Sequence, residues 1–173
     1  MSAIRFINET VVSSGVDTVE VDNVFTSDFD MYKITLSDLE IQTDDYTGLR
    51  LIDNGTVLTA TSYDSASQLM YCDQSFFQGK NENLSQFYYL NYMHPSGFTK
   101  GNGNVIYVIN PFSQSLYTSF LNQGDGYSET GSRLYSFKGI GQFKVAARTT
   151  GFQILRTGNI NSLKIRTYGI RGA

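Results

Sequence analysis

The stretch Thr150–Ala173, TGFQILRTGNINSLKIRTYGIRGA, carries the reading of the fold. Phe152 and Ile154 alternate with Gln153 and Leu155. Beyond the polar triplet Thr157-Gly158-Asn159, Leu163 and Ile165 alternate with Lys164 and Arg166. Period-two alternation sends successive side chains to opposite faces of a strand, so two such runs around a Gly/Asn turn predict a β-hairpin with one buried face. A strand near a chain end stays ordered when it is tied into a sheet. The hairpin is therefore expected to close a β-sandwich, with no further domain behind it.

The same signal recurs upstream. In Asp30–Leu39, Tyr32, Ile34 and Leu36 alternate with Lys33, Thr35 and Ser37, one dry face and one wet face as in an antiparallel sheet. Strand patterns are read at residues 3–12, 17–25, 30–40, 48–53, 56–61, 67–73, 84–93, 104–110, 115–121, 133–138, 142–148, 151–155 and 162–169. Asp53-Asn54-Gly55 between LRLI and TVLTA is a hairpin turn, because Asn-Gly accepts the positive φ angles of a type I′ turn. Gly139 and Gly141 in SFKGIGQFKVAA mark a bulge or tight turn between two strands. No window sustains helical spacing, because Gly, Ser, Thr and Asn interrupt too often.

About a dozen short strands separated by turns fit a sandwich or barrel, and the length exceeds the roughly 100 residues of a minimal immunoglobulin-type sandwich. The expected fold is all-β, a jelly-roll-like antiparallel β-sandwich in a single domain over residues 1–173. With 24 Phe and Tyr (12 each), 16 Gly, 2 Pro and no Trp, the composition agrees.

Charge is unevenly distributed. Residues 1–82 carry 14 acids against four bases (Arg5, Lys33, Arg50 and Lys80), whereas residues 130–173 carry eight bases and no acid. Either early and late strands lie side by side and neutralise one another, or the late segment offers a basic surface (Arg156, Lys164, Arg166 and Arg171) to a partner. These bases are spaced singly, so a nucleic-acid partner is not expected. No run approaches the roughly 20 apolar residues of a membrane span. The opening MSAIRFINETVVSS lacks the apolar core of a signal peptide, so neither membrane insertion nor secretion is expected.

Catalytic chemistry finds little support. His94 is the single histidine and precedes Pro95; Cys72 is the single cysteine and is expected to pack as a small buried hydrophobe. No nucleophile elbow or phosphate loop is present. Asp28, Asp30, Asp44, Asp45 and Asp53 are oxygen donors of the kind Ca²⁺ takes, but they lack an EF-hand-like spacing and read as turn residues. A glycosidase carboxylate pair leaves little local signature, and nothing selects one here. Asn8, Asn54 and Asn83 open glycosylation triplets, which read as chance matches. No catalytic residue, metal or cofactor is expected.

The densest aromatic segment, NENLSQFYYLNYMHPSGF, holds Phe87, Tyr88, Tyr89, Tyr92 and Phe98. On a two-faced strand these serve either a doubly buried strand or an outward surface. Tyrosine suits the latter, because its ring covers apolar area while its hydroxyl stays hydrogen-bonded. They are the expected oligomer or capsid interface, or a face for stacking on sugar rings.

Three segments carry a family resemblance. VDTVEVDNVFTSDFDMYKITLSDLEIQTDDYTGLRLIDNG (residues 16–55) resembles the opening half of small accessory structural proteins of tailed bacteriophages, especially those of marine bacteria. GNVIYVINPF (residues 103–112) resembles that group's GxIxIxNP strand, and GFQILRTGNINSLKIRTYGI (residues 151–170) resembles its closing segment. Leu163 stands where the group commonly has Gly, and Thr167 precedes the Tyr168-Gly169-Ile170 signature. The resemblance implies a jelly-roll-like sandwich carried on the virion, commonly as a trimer or other oligomer, assembled in the bacterial cytoplasm. It brings no catalytic residues. The expected function is that of a non-enzymatic capsid decoration or head-fibre protein. It would contact itself as a homotrimer and the major capsid protein or other virion proteins. The alternative is a tail-associated adhesin that binds a host surface glycan.

Overall fold

The computed structural model describes residues 4–41, 45–73, 75–93, 103–128 and 133–171. Twelve strands occur among them: β1 (Ile4–Val12), β2 (Val16–Val21), β3 (Met31–Ile41), β4 (Asp45–Asp53), β5 (Thr56–Val57), β6 (Tyr63–Tyr71), β7 (Phe76–Leu84), β8 (Phe87–Met93), β9 (Gly103–Ile109), β10 (Thr118–Ser128), β11 (Arg133–Phe143) and β12 (Gly151–Ile170). Every pairing is antiparallel. The fold is an all-β, jelly-roll-like sandwich made by one sheet curling over itself.

The expected closing hairpin is instead a single 20-residue strand, β12. Its first part pairs with β2 and β4, and its last part with β1 and β3. Each half finds different neighbours, so the two never fold back on each other. The buried positions are Gly151, Phe152, Gln153, Ile154, Arg156 and Ile160, then Leu163, Ile165, Thr167 and Gly169, with the apolar ones alternating along each part. The phase slips by one residue between Ile160 and Leu163, and bulges absorb that residue. Gly158, at φ 95°, supplies the backbone conformation that other residues resist. The triplet that reads as a turn is thus the corner where one strand passes between the two layers.

The large layer runs β1–β12–β3–β9–β10–β11–β6–β7, with the last part of β12 as its second strand. The small layer is β2–β12–β4–β8, built on the first part of β12, with β5 on the far end of β4. Between them lies the main core, including Tyr32, Ile34, Leu36, Leu49, Leu51, Phe120, Phe152, Ile154 and Ile165. Each such side chain contributes about 1.5–3 kcal/mol by leaving water. The Phe25 ring sits 4.7 Å from that of Tyr32 and 5.8 Å from that of Phe152. Thr150 fastens this corner: its carbonyl accepts the Val24 and Phe25 amides at 2.9 Å, and its hydroxyl donates to Asp22 at 2.5 Å. Buried Tyr63 accepts from the Leu51 amide and donates to the Leu58 carbonyl, both at 3.0 Å. Burial pushes its phenol up to about 12, against a smaller opposing effect of the Leu51 N–H.

Several expectations are corrected. β11 runs unbroken through Gly139 and Gly141, where two strands were expected. A Cβ at Gly141 would overlap the Phe87 ring, and one at Gly139 would overlap the Asn122 amide. Those glycines clear space for inward side chains rather than turning the chain. Strand β7 was not anticipated, because FFQGKNENL is polar and glycine-containing, as an edge strand can be. Cys72 is exposed, not buried, since it sits in the turn after β6. The Asn54-Gly55 turn is as expected, with φ of 45° and 80° and Asp53 paired to Thr56.

Candidate functional site

The structure distributes the residues singled out from sequence widely. Phe87 is fully buried, its ring stacked on Phe120 at 5.0 Å, so it holds the small layer onto the large one and is closed to any partner. Tyr88 is half-buried, with its ring 5.5 Å from that of Tyr46. Tyr89 and Tyr92 fall on β8, where the backbone alone is described; Phe98 and His94 lie outside the described residues. Arg156 is buried and donates to the Thr47 hydroxyl at 3.4 Å, because it precedes the β12 corner on the inward face. It is no part of a basic outer surface. Lys164 meets Asp38 at 2.8 Å and Arg166 meets Glu9 at 2.6 Å, so early acids neutralise these late bases strand against strand. Arg171 is exposed, its guanidinium 5.6 Å from the Phe29 ring centre. Among the described residues, no group of three or more His, Cys, Asp or Glu is placed to hold a metal ion.

A different feature emerges from the registers of the large layer. One outward row crosses eight strands as Lys80, Ala66, Ile140, Leu121, Tyr107, Lys33, Tyr168 and Phe6. Two residues along each strand, or three on β1 where a bulge intervenes, a second outward row reads Gln78, Gln68, Lys138, Gln123, Val105, Thr35, Arg166 and Glu9. On β7, β6, β11 and β10 the row between them is Gly79, Ser67, Gly139 and Asn122. Asn122 and Gly139 are buried there, so the backbone is left as a floor.

The result is an open trough of about 770 Å³ running across these four strands. One wall is Leu121 and Ile140, which are 44% and 58% exposed, with Ala66 and the Lys80 stem beside them. The opposite wall is Gln78, Gln68, Lys138 and Gln123. Among the described residues, none of these four side chains has a hydrogen-bond or ion-pair partner, whereas Lys80 has a loose contact with Glu82 at 3.8 Å. The trough continues past Gln123 toward Tyr107 and Lys33, and past Ile140 toward Ser119 and Gln142.

Charges at its flank are settled. Asp64 pairs with Lys144 at 2.9 Å and accepts the Asn83 amide at 2.8 Å. These hydrogen bonds, Lys144 first, hold the Asp64 carboxyl below the usual carboxylate range. Asp38 is held low in the same sense by Lys164. What the trough offers is binding chemistry: an aliphatic wall facing a wall of amides and an ammonium. Sequence reading missed it because its polar wall uses three glutamines and a lysine scattered over four strands. The visible trace is the alternation Leu134, Ser136, Lys138, Ile140, Gln142 in β11, legible only once β11 is known to run through both glycines.

No family model matches the chain, and no curated protein matches it. Distant likenesses occur among solved structures. Alginate lyase Aly36B is 8% identical, with a TM-score of 0.35 over 95% of this chain and 80% of that one. A sucrose-6-phosphate hydrolase from Lactobacillus gasseri is 10% identical, with a TM-score of 0.33 over 91% of this chain and 28% of that one. The CBM2 module of an evolved Dit protein of a Lactobacillus casei phage is 8% identical, with a TM-score of 0.27 over 90% of this chain and 69% of that one.

Proposed function

We propose that the protein is a non-enzymatic structural component of a tailed-phage particle, a capsid decoration or head-fibre protein that works as a small oligomer. The observation that carries this reading is the pair of edges of the large layer. A sheet that stands alone keeps its free edges short, charged or covered, because their unpaired backbone groups recruit other strands. Here the edge strands β1 and β7 are nine residues each. Phe6 on β1 and Phe76 on β7 are 55% and 65% exposed. Exposed aromatic surface on long edges favours pairing between copies, or with a shell protein. The phage assignment draws on the segments at residues 16–55, 103–112 and 151–170.

Light scattering on the purified protein tests the assembly, with a trimer expected at micromolar concentration and a monomer expected for Phe6→Glu with Phe76→Glu. A monomeric wild type removes self-assembly from the reading. Antibody-gold labelling of particles tests the place: label over the head supports decoration, and label on the tail tip replaces it with the adhesin. The adhesin is the second reading, and the trough is the observation in its favour. Unsatisfied amides beside an aliphatic wall suit a ligand rich in hydroxyls and C–H faces.

A further inference from the structure

We propose that the trough across β7, β6, β11 and β10 binds a linear, carboxylate-bearing polysaccharide, lying across the strands with Lys138 on a carboxylate. This deepens the adhesin reading and rests on it, but it does not require the head or tail assignment.

The shape comes first. Strands about 4.8 Å apart make a four-strand trough about 14 Å long between the outer strand axes, which fits several rings of a chain rather than one. The trough is open along its length, so a polymer enters without threading an end. Its direction follows the rows of side chains, so successive rings meet Gln78, Gln68, Lys138 and Gln123 in turn.

The chemistry comes next. A glutamine amide both donates and accepts, which matches a hydroxyl that does the same. Three glutamines without partners among the described residues, on one wall, match a ligand that repeats hydroxyls at regular spacing. Leu121 and Ile140 opposite them cover the C–H faces of the rings and exclude water from the polar contacts. A peptide strand would seek backbone partners, but β6, β11 and β10 beneath the trough are paired on both sides, and only the outer edge of β7 leaves backbone groups open. The sign of the ligand follows from charge. Lys138 has no acidic partner among the described residues; of the acids nearby, Asp64 and Glu82 face Lys144 and Lys80, and Asp125 lies two residues beyond Gln123, past the end of the four-strand trough. The lining of the four-strand trough itself holds Lys80 and Lys138 and no acid, and an ammonium without an ion-pair partner among the described residues favours a carboxylate over a neutral sugar.

The test uses the full chain and isothermal titration with three probes: hexameric oligogalacturonate, cellohexaose as a neutral chain, and polyglutamate of matched charge. Oligogalacturonate is expected to bind at least about tenfold more tightly than either competitor, as one charge-assisted hydrogen bond allows. Lys138→Ala and Gln68→Ala are expected to weaken it by about fivefold or more each, in the range of single hydrogen bonds. Lys164→Ala, on the paired end, is expected to leave it unchanged, and added salt to weaken it. Equal binding of cellohexaose overturns the acidic preference and leaves the adhesin reading standing. Equal binding of polyglutamate, or wild-type affinity in both trough variants, overturns the saccharide site. Binding of none of the probes overturns the inference, and a glycan array without signal would then remove the adhesin reading as well.

Discussion

The two ends of the large layer's outer face share one backbone plan and differ in how their polar groups are paired. On β1, β12 and β3, most charges have a mate one strand away: Glu9 with Arg166, and Asp38 with Lys164, while Lys33 stands without an ion pair among the described residues. On β7, β6, β11 and β10, the same rows present Gln78, Gln68, Lys138 and Gln123 with no mate among the described residues. A face whose charges are satisfied within the chain has little to offer a ligand, because binding must first break what is already made. A face with unspent donors and acceptors loses less on desolvation and gains more from contact. The aliphatic Leu121 and Ile140 add to that bias, while the paired end presents Tyr168 with Phe6 packed on it at 5.7 Å between ring centres.

The harshest way to break this comparison is to delete residues 158–173. That removes the strand on which β1 pairs and one of the two neighbours of β3, and the remaining chain is expected not to fold, as read by circular dichroism and one-dimensional NMR. If a folded trough end survived, the two ends would be separate units and not one sandwich. Next, Phe120→Ala beneath the trough end should cost about 3–5 kcal/mol, and Ile165→Ala beneath the paired end about 2–5 kcal/mol, in urea denaturation. Similar losses would mean that the ends differ in surface alone; a cost below about 1 kcal/mol at Phe120 would mark the trough end as loosely packed.

Smaller effects sharpen the contrast. Arg166→Ala should cost at most about 1 kcal/mol, since its pair with Glu9 is partly solvated. Lys138→Ala should stay within about 0.5 kcal/mol of wild type. A larger loss at Lys138 would reveal an intrachain role and count against a ligand role. The smallest effect is on acidification. Asp38 and Asp64 are held below the usual carboxylate range in the folded state, so the unfolded chain binds protons first as the pH falls. Their stabilisation is present above about pH 4 and is lost as the pH drops through the depressed folded values. Asp38→Asn with Asp64→Asn should flatten that part of the stability curve; an unchanged slope would assign acid sensitivity to other carboxyls.

Legibility from sequence followed burial. Alternation at Tyr32, Ile34 and Leu36 reads correctly because one face of β3 is dry along its length. The Asn54-Gly55 turn reads correctly because positive φ is a local requirement. β7 escapes because an edge strand needs no apolar face over much of its length. Gly139 and Gly141 mislead because a glycine that makes room for Asn122 or Phe87 looks the same in sequence as one that turns a chain. The aromatic cluster is likewise ambiguous: Phe87 proves to be core, while the trough draws on aliphatic and amide residues that no composition argument would single out.

What the sequence by itself determined is the all-β class, the antiparallel habit of its best-patterned strands, and the opposite charge of its two ends of chain. These follow from side-chain period, turn chemistry and a count of ionisable groups, all of which are local. The tertiary structure alone decided that residues 151–170 form one strand shared by two layers, that Arg156 is buried, and which charges find mates. It also brought residues 68, 78, 123 and 138 together as one polar wall of the trough. Those outcomes depend on register between strands far apart in the chain, and a shift of one residue would turn each of these side chains to the opposite face.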